Sequence, residues 1–120
     1  MQRFVRYTLV GAIATAVHYG LLASAVELLH WPAFIASGFG AVVGAQVAFF
    51  GNRWFTFAHA GHVMRAWLKF MSTALFGAAV GMLVVGIGVQ LGVHYLAAQV
   101  IATLLSLVLT FAINRAWTFR

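Results

Sequence analysis

From Phe70 to Asn114 the chain carries no formal charge. As a single α-helix this stretch would be about 67 Å long at 1.5 Å per residue. That is roughly twice the ~30 Å hydrocarbon thickness of a bilayer. Lipid offers backbone polar groups no water, so a stretch of this kind must be helical there and must cross twice. The turn belongs at Gln90-Leu91-Gly92-Val93-His94-Tyr95, where polar and interfacial residues collect. The first half reads the same way. Tyr7 to Val26 is free of formal charge and one span long. Trp31-Pro32 then breaks the chain, since proline suits a helix start and not a helix interior. Ala33 to Asn52 makes the second span. The expected fold is an all-α membrane protein. Its four transmembrane helices, near 6–27, 33–53, 68–90 and 95–115, form two hairpins of the same orientation.

Composition excludes a soluble alternative. The chain is 64% hydrophobic and 7% charged, against roughly 25% charged in a soluble domain. No segment is left for a second, soluble domain, so residues 1–120 read as one transmembrane domain. Basic residues precede the first apolar run, but that run is a full span long and lacks a small-residue cleavage site. It reads as a retained helix. Cysteine is absent, which excludes disulfides and thiolate chemistry.

Four spans put the N-terminus, the central loop and the C-terminus on one side. Arg3, Arg6, Arg53, Arg65, Lys69, Arg115 and Arg120, all seven cations, fall there. The only acid, Glu27, lies at the opposite end of span 1. The positive-inside rule makes the basic side cytoplasmic and the location the inner (cytoplasmic) membrane. The net charge of +6 therefore marks membrane sidedness and not a nucleic-acid partner.

One phrase occurs twice. Asn52-Arg53-Trp54-Phe55-Thr56-Phe57 closes the second span, and Asn114-Arg115-Ala116-Trp117-Thr118-Phe119 closes the fourth. A shift of 62 residues superposes them, and also Phe49 on Phe111 and Ala36 on Ala98. With one residue of slippage Arg6 falls on Lys69 and Tyr7 on Phe70. Each half, about 1–57 and about 65–119, is thus a hairpin entered by a basic-aromatic pair and left by Asn-Arg. Halves with an even number of spans share one orientation, so the pseudo-axis runs along the membrane normal. Gly40/Gly44, Gly77/Gly81 and Gly88/Gly92 are small-xxx-small pairs expected at helix contacts.

Arginine at the end of an apolar helix can simply snorkel to the interface. Trp54, Trp117, Trp31 and Tyr95 are expected there as interfacial anchors. Anchoring does not explain why Asn and Thr recur beside Arg in the same order. A phosphate-binding edge does: guanidinium holds phosphate oxygens bidentately, and an adjacent amide adds a donor. Arg53 and Arg115 with Asn52 and Asn114 are the candidates, assisted by Arg6 and Lys69. Inside the spans, His18 lies near the middle of the first, where a polar group is expensive unless partnered. Gln46 and Gln99 are similarly costly, and Thr103, Ser106 and Thr110 follow Gln99 along span 4. His18, Gln46 and Gln99 could line a polar path for a sugar. His59 and His62, without Cys, Asp or Glu nearby, make no metal site. With one carboxylate and no aspartate there is no acid/base pair and no Ser-His-Asp set, so no enzymatic activity and no cofactor is expected. No P-loop is present to bind ATP.

This pattern resembles the GtrA family of small membrane proteins over essentially the whole chain. The resemblance rests on Arg3-Phe4-Val5-Arg6-Tyr7 with Gly11, on the four spans, and on Phe49 to Phe57 and Phe111 to Phe119. It implies a role in cell-surface polysaccharide synthesis, by moving a polyprenyl-phosphate-linked sugar, such as undecaprenyl-phosphate glucose, from the cytoplasmic to the outer leaflet. It also implies a polyprenyl-phosphate glycosyltransferase as partner, which opens a second reading as a membrane scaffold for that enzyme. A third reading, a small four-helix multidrug exporter, needs a membrane-embedded carboxylate, and Glu27 sits at a span end. Four short helices enclose little volume for a sugar path, which argues for a homodimer. The first phrase carries its Trp one place earlier than the second, so the two halves need not bind alike.

Overall fold

The computed structural model describes residues 2–56 and 63–113. The described residues form four α-helices: α1 Gln2–Glu27, α2 Ala33–Gly51, α3 Val63–Gln90 and α4 Tyr95–Ile113. A π-helical turn, Asn52–Thr56, continues α2. The protein is an all-α membrane protein. α1, α2 and α3 are long and apolar enough to cross a bilayer, and α4 is a shorter apolar helix of 19 residues. At about 28 Å that length still matches a hydrocarbon core.

α1 and α3 are the long members, at 26 and 28 residues. Both exceed the roughly 20 residues that a hydrocarbon core requires. α3 begins at Val63, five residues before the span expected from charge, because Arg65 and Lys69 are good helix formers whose stems can lie along an apolar surface. α2 starts directly after Pro32, whose φ of −56° suits a helix entry.

The two hairpin turns at the far end each contain one residue of positive φ, and their hydrogen bonds differ. His30 has φ 58° and Gly92 has φ 90°; the two positions are 62 apart. The Trp31 N–H returns to the Ala25 carbonyl at 3.0 Å. The Gly92 N–H reaches Val89 O at 3.0 Å and the Val93 N–H reaches Gly88 O at 2.9 Å, the double bond of a Schellman stop.

α1 packs on α2, α2 on α3 and α3 on α4, and each of these pairs is closer than α1 with α4. Lipid tails are as apolar as the side chains, so close packing and not the hydrophobic effect holds the helices together. Gly40 and Gly44 make the α1–α2 contact. A Cβ at Gly40 would lie 2.8 Å from the His18 carbonyl oxygen, and one at Gly44 would lie 3.1 Å from that of Ala14. Gly88 does the same against Ala98 of α4. Gly77 and Gly81 do not: nothing lies within 4 Å of a Cβ at Gly77, and both face a cavity between the helices. Gly92 shapes the turn instead of a helix face. The tightest core sits toward the far end as two clusters, Leu22, Ala25 and Ala36, and Val85, Ala98 and Ala102. Leu22 and Val85 are 63 apart, and Ala36 and Ala98 are 62 apart, so the clusters occupy equivalent places in the two halves.

Candidate functional site

Below that core, toward the basic end, all four helices line a cavity of about 290 Å³. Small residues create it. Its polar lining is Thr15 and His18 from α1, Ser37 from α2, and Gln99, Thr103 and Ser106 from α4. Among the described lining residues there is no Asp, Glu, Lys or Arg. The lining reaches from Ser37 and Gln99, about 6 Å inside the far helix ends, to Ala48 and Ala74, about 22–24 Å inside them, counted at 1.5 Å per residue.

Hydrogen bonds close its far end. Ser37 Oγ donates to Gln99 Oε1 at 2.5 Å, and Gln99 Nε2 donates to Thr103 Oγ1 at 3.3 Å. The Tyr19 hydroxyl donates to the Gln99 backbone carbonyl at 3.3 Å and shares a 2.8 Å bond with the Thr103 hydroxyl. Ser37 and Gln99 are 1% and 2% exposed, so the bond between them satisfies buried polar atoms. Ser37 and Gln99 are also 62 apart. Two equivalent positions that touch lie on the pseudo-axis, and the cavity is built around it. Other lining positions pair at the same offset, Ala41 with Thr103 and Gly44 with Ser106, or with one residue of slippage, Thr15 with Ala78 and His18 with Gly81. The walls correspond, but the polar groups do not.

His18 is the polar group the fold leaves open. Its Nε2 is buried and has no hydrogen-bond partner among the described residues. The ring stands edge-on to Tyr19 at 5.3 Å. A buried unpaired polar atom costs about 1–3 kcal/mol, and one on a cavity wall is placed to meet a hydroxyl brought in by a ligand.

The basic end carries the first copy of the repeated phrase. A π turn is rare and recurs at functional sites; here it packs against both α1 and α2. Along the α1–α2 contact, Gly40 meets His18, Gly44 meets Ala14 and Gly51 meets Val10. The register set by the Gly40–His18 and Gly44–Ala14 contacts brings Asn52 level with Arg6, with Arg53 next to it. None of these three residues is without a partner. Around them the Phe49 and Phe70 rings lie 5.5 Å apart and Phe50 and Trp54 lie 5.2 Å apart. Trp54 is 72% exposed, as an interfacial residue is. Lys69 is exposed on α3.

His18 and Gln99 thus line the cavity and Gln46 does not. The Gln46 Oε1 accepts from Trp67 Nε1 at 2.9 Å, and its Nε2 donates to Met71 Sδ at 3.0 Å. Its polar atoms tie α2 to α3. Trp31 and Tyr95 both sit at the far end, packed on Leu22, Ala25 and Ala36, and the Tyr95 hydroxyl donates to the Glu27 carboxylate at 3.2 Å. Asn114, Arg115 and Trp117 lie outside the described residues, as do His59 and His62. Sequence reasoning passed over Thr15, Tyr19 and Ser37 as lining or closing residues. For Ser37 a signal existed: the repeat offset places it opposite Gln99.

The family model described as GtrA/DPMS, transmembrane domain, matches residues 6–119. No curated protein and no solved structure matches.

Proposed function

Because the chain belongs to the GtrA/DPMS transmembrane-domain family, whose setting is membrane polysaccharide synthesis from polyprenyl-phosphate-linked sugars, we propose that it carries the headgroup of such a lipid from the cytoplasmic to the outer leaflet. The observation behind this reading is the uncharged polar cavity above a cationic helix end. A sugar crossing a bilayer must keep its hydroxyls hydrogen-bonded, because unpaired polar groups in hydrocarbon cost several kcal/mol each. Hydroxyls, amides and a neutral imidazole supply those bonds without placing a charge at membrane depth. A volume of about 290 Å³ gives room for a sugar ring.

The phosphate belongs at the basic end. The C-terminus of α2 presents the negative end of its dipole, so side chains and not backbone amides bind there. Arg53 and Arg115, with Asn52 and Asn114, grip the phosphate; Arg6 and Lys69 add positive potential. His18 and Gln99 meet the sugar. Gln46, tied to Trp67 and Met71, stiffens the α2–α3 contact. The basic end faces the cytoplasm and the membrane is the inner one. The activity is transport and not catalysis. A cationic-drug exporter fits poorly, since no carboxylate lines the described cavity.

Purified protein in proteoliposomes, loaded with labelled polyprenyl-phosphate glucose, tests the proposal. The native chain alone is expected to expose label across the bilayer, and Arg53→Gln with Arg115→Gln to abolish this. Unchanged movement in the double variant would sink the phosphate assignment. Movement that appears only with a glycosyltransferase present would favour the scaffold reading.

A further inference from the structure

The cavity has two flanks, and the repeat makes them comparable. One is the seam between α2 and α3, the other the seam between α1 and α4. The α2–α3 seam is packed shut: Met82 lies against Gly38, Trp67 and Met71 hold Gln46, and Phe49 meets Phe70. The α1–α4 seam is less closely packed than the α1–α2, α2–α3 and α3–α4 seams. It is bridged in its far half by the Tyr19 hydroxyl on Thr103 and on the Gln99 carbonyl, and at its far end by Tyr95 on Glu27. Toward the basic end, Thr15 of α1 and Leu107 of α4 both line the cavity and both are exposed, Leu107 at 62%. Each is twelve residues from the far end of its helix, about 18 Å, so they lie at one level. Residues that face a cavity and the outside together mark its opening. The equivalent positions on the other flank, Ala78 and Ala45, are buried and half-buried.

We infer that the α1–α4 seam is a lateral portal, through which a lipid-linked headgroup enters the cavity while its isoprenoid chain stays in the bilayer along Thr15 and Leu107. The identity of the lipid rests on the function proposed above; the asymmetry of the flanks does not. The occupant is an amphiphile with an anionic head, because the opening joins a polar interior to hydrocarbon and lies on the arginine-bearing side of the bundle. Tyr19 is the latch that holds the far half closed while the near half admits the head.

Two experiments decide this, and the absence of native cysteine makes the second direct. In the first, a benzophenone amino acid replaces Leu107 or, as control, Leu75, a lipid-exposed leucine of α3. Vesicles contain radiolabelled polyprenyl phosphate. Saturable capture is expected at Leu107 and not at Leu75; equal capture at both, or none at Leu107, overturns the portal. In the second, Thr15→Cys with Leu107→Cys is joined by cleavable thiol cross-linkers of graded length. Movement of polyprenyl-phosphate glucose is followed before linking, after linking and after cleavage. Loss on linking and recovery on cleavage are expected, and continued movement with the seam fully linked overturns the portal. If the unlinked protein moves no sugar, the translocation reading fails instead, and capture at Leu107 still decides where the lipid binds.

Discussion

Gly40 and Gly77 look alike in the sequence, each the first glycine of a pair four residues apart, yet one is a contact and the other a void. At Gly40 any side chain meets the His18 backbone carbonyl, which cannot give way without moving α1. Gly40→Val is expected to lower stability by about 1–3 kcal/mol, the usual range for overpacking. Gly77→Ala places its methyl in open space and should change stability by no more than about 0.5 kcal/mol. Unfolding in mixed detergent would measure both, and equal costs would contradict the packing described. The same ambiguity attaches to glutamine. Gln46 and Gln99 were equal candidates for a polar path, but composition does not say which way a helix is turned. Trp67 and Met71 claim the first; the axis and Ser37 claim the second. His18 was legible because depth alone makes an imidazole costly. Its open Nε2 was not, because that depends on which neighbours fall short of it.

Among the elements, helix number and order were readable from charge and hydropathy, since a bilayer imposes both. The helix ends were less so. Hydropathy marks where lipid stops and not where hydrogen bonding stops, which is why α3 begins at Val63 and why the Asn52–Thr56 segment winds as a π turn without any sign in its composition. The far-end turns give a sharper case. Gly92 announced a turn, but His30, its counterpart, holds φ 58° with a side chain that L-residues rarely carry there. Gly92→Ala is expected to cost about 1 kcal/mol, while His30→Gly should be tolerated or stabilising by a comparable amount. Thermal unfolding followed by circular dichroism would read the two shifts, which should have opposite sign.

For the whole molecule, the decisive legible feature was the agreement between four spans and one-sided charge. It leads to a labelling experiment on a chain with no cysteine of its own. Leu29 and Met64 are exposed at opposite ends, at 62% and 59%. In intact cells a membrane-impermeant thiol reagent should modify Leu29→Cys and spare Met64→Cys, and both should react after lysis. The reverse pattern would invert the protein and with it the direction of the proposed transport. What the sequence could not convey at this scale is that the halves enclose a space. Packing leaves no periodic trace when both lipid-facing and cavity-facing residues are apolar or small.

The bond from Ser37 to Gln99 bears on the history of such a chain. A residue on a twofold axis faces its own copy. Two identical hairpins meeting as separate molecules could set only serine against serine there, or glutamine against glutamine. A donor hydroxyl aimed at a dissimilar acceptor amide is open only to hairpins joined in one polypeptide and free to diverge. Two hairpins in one polypeptide therefore have something a dimer of equals lacks: an interior whose two sides can be told apart by whatever enters it.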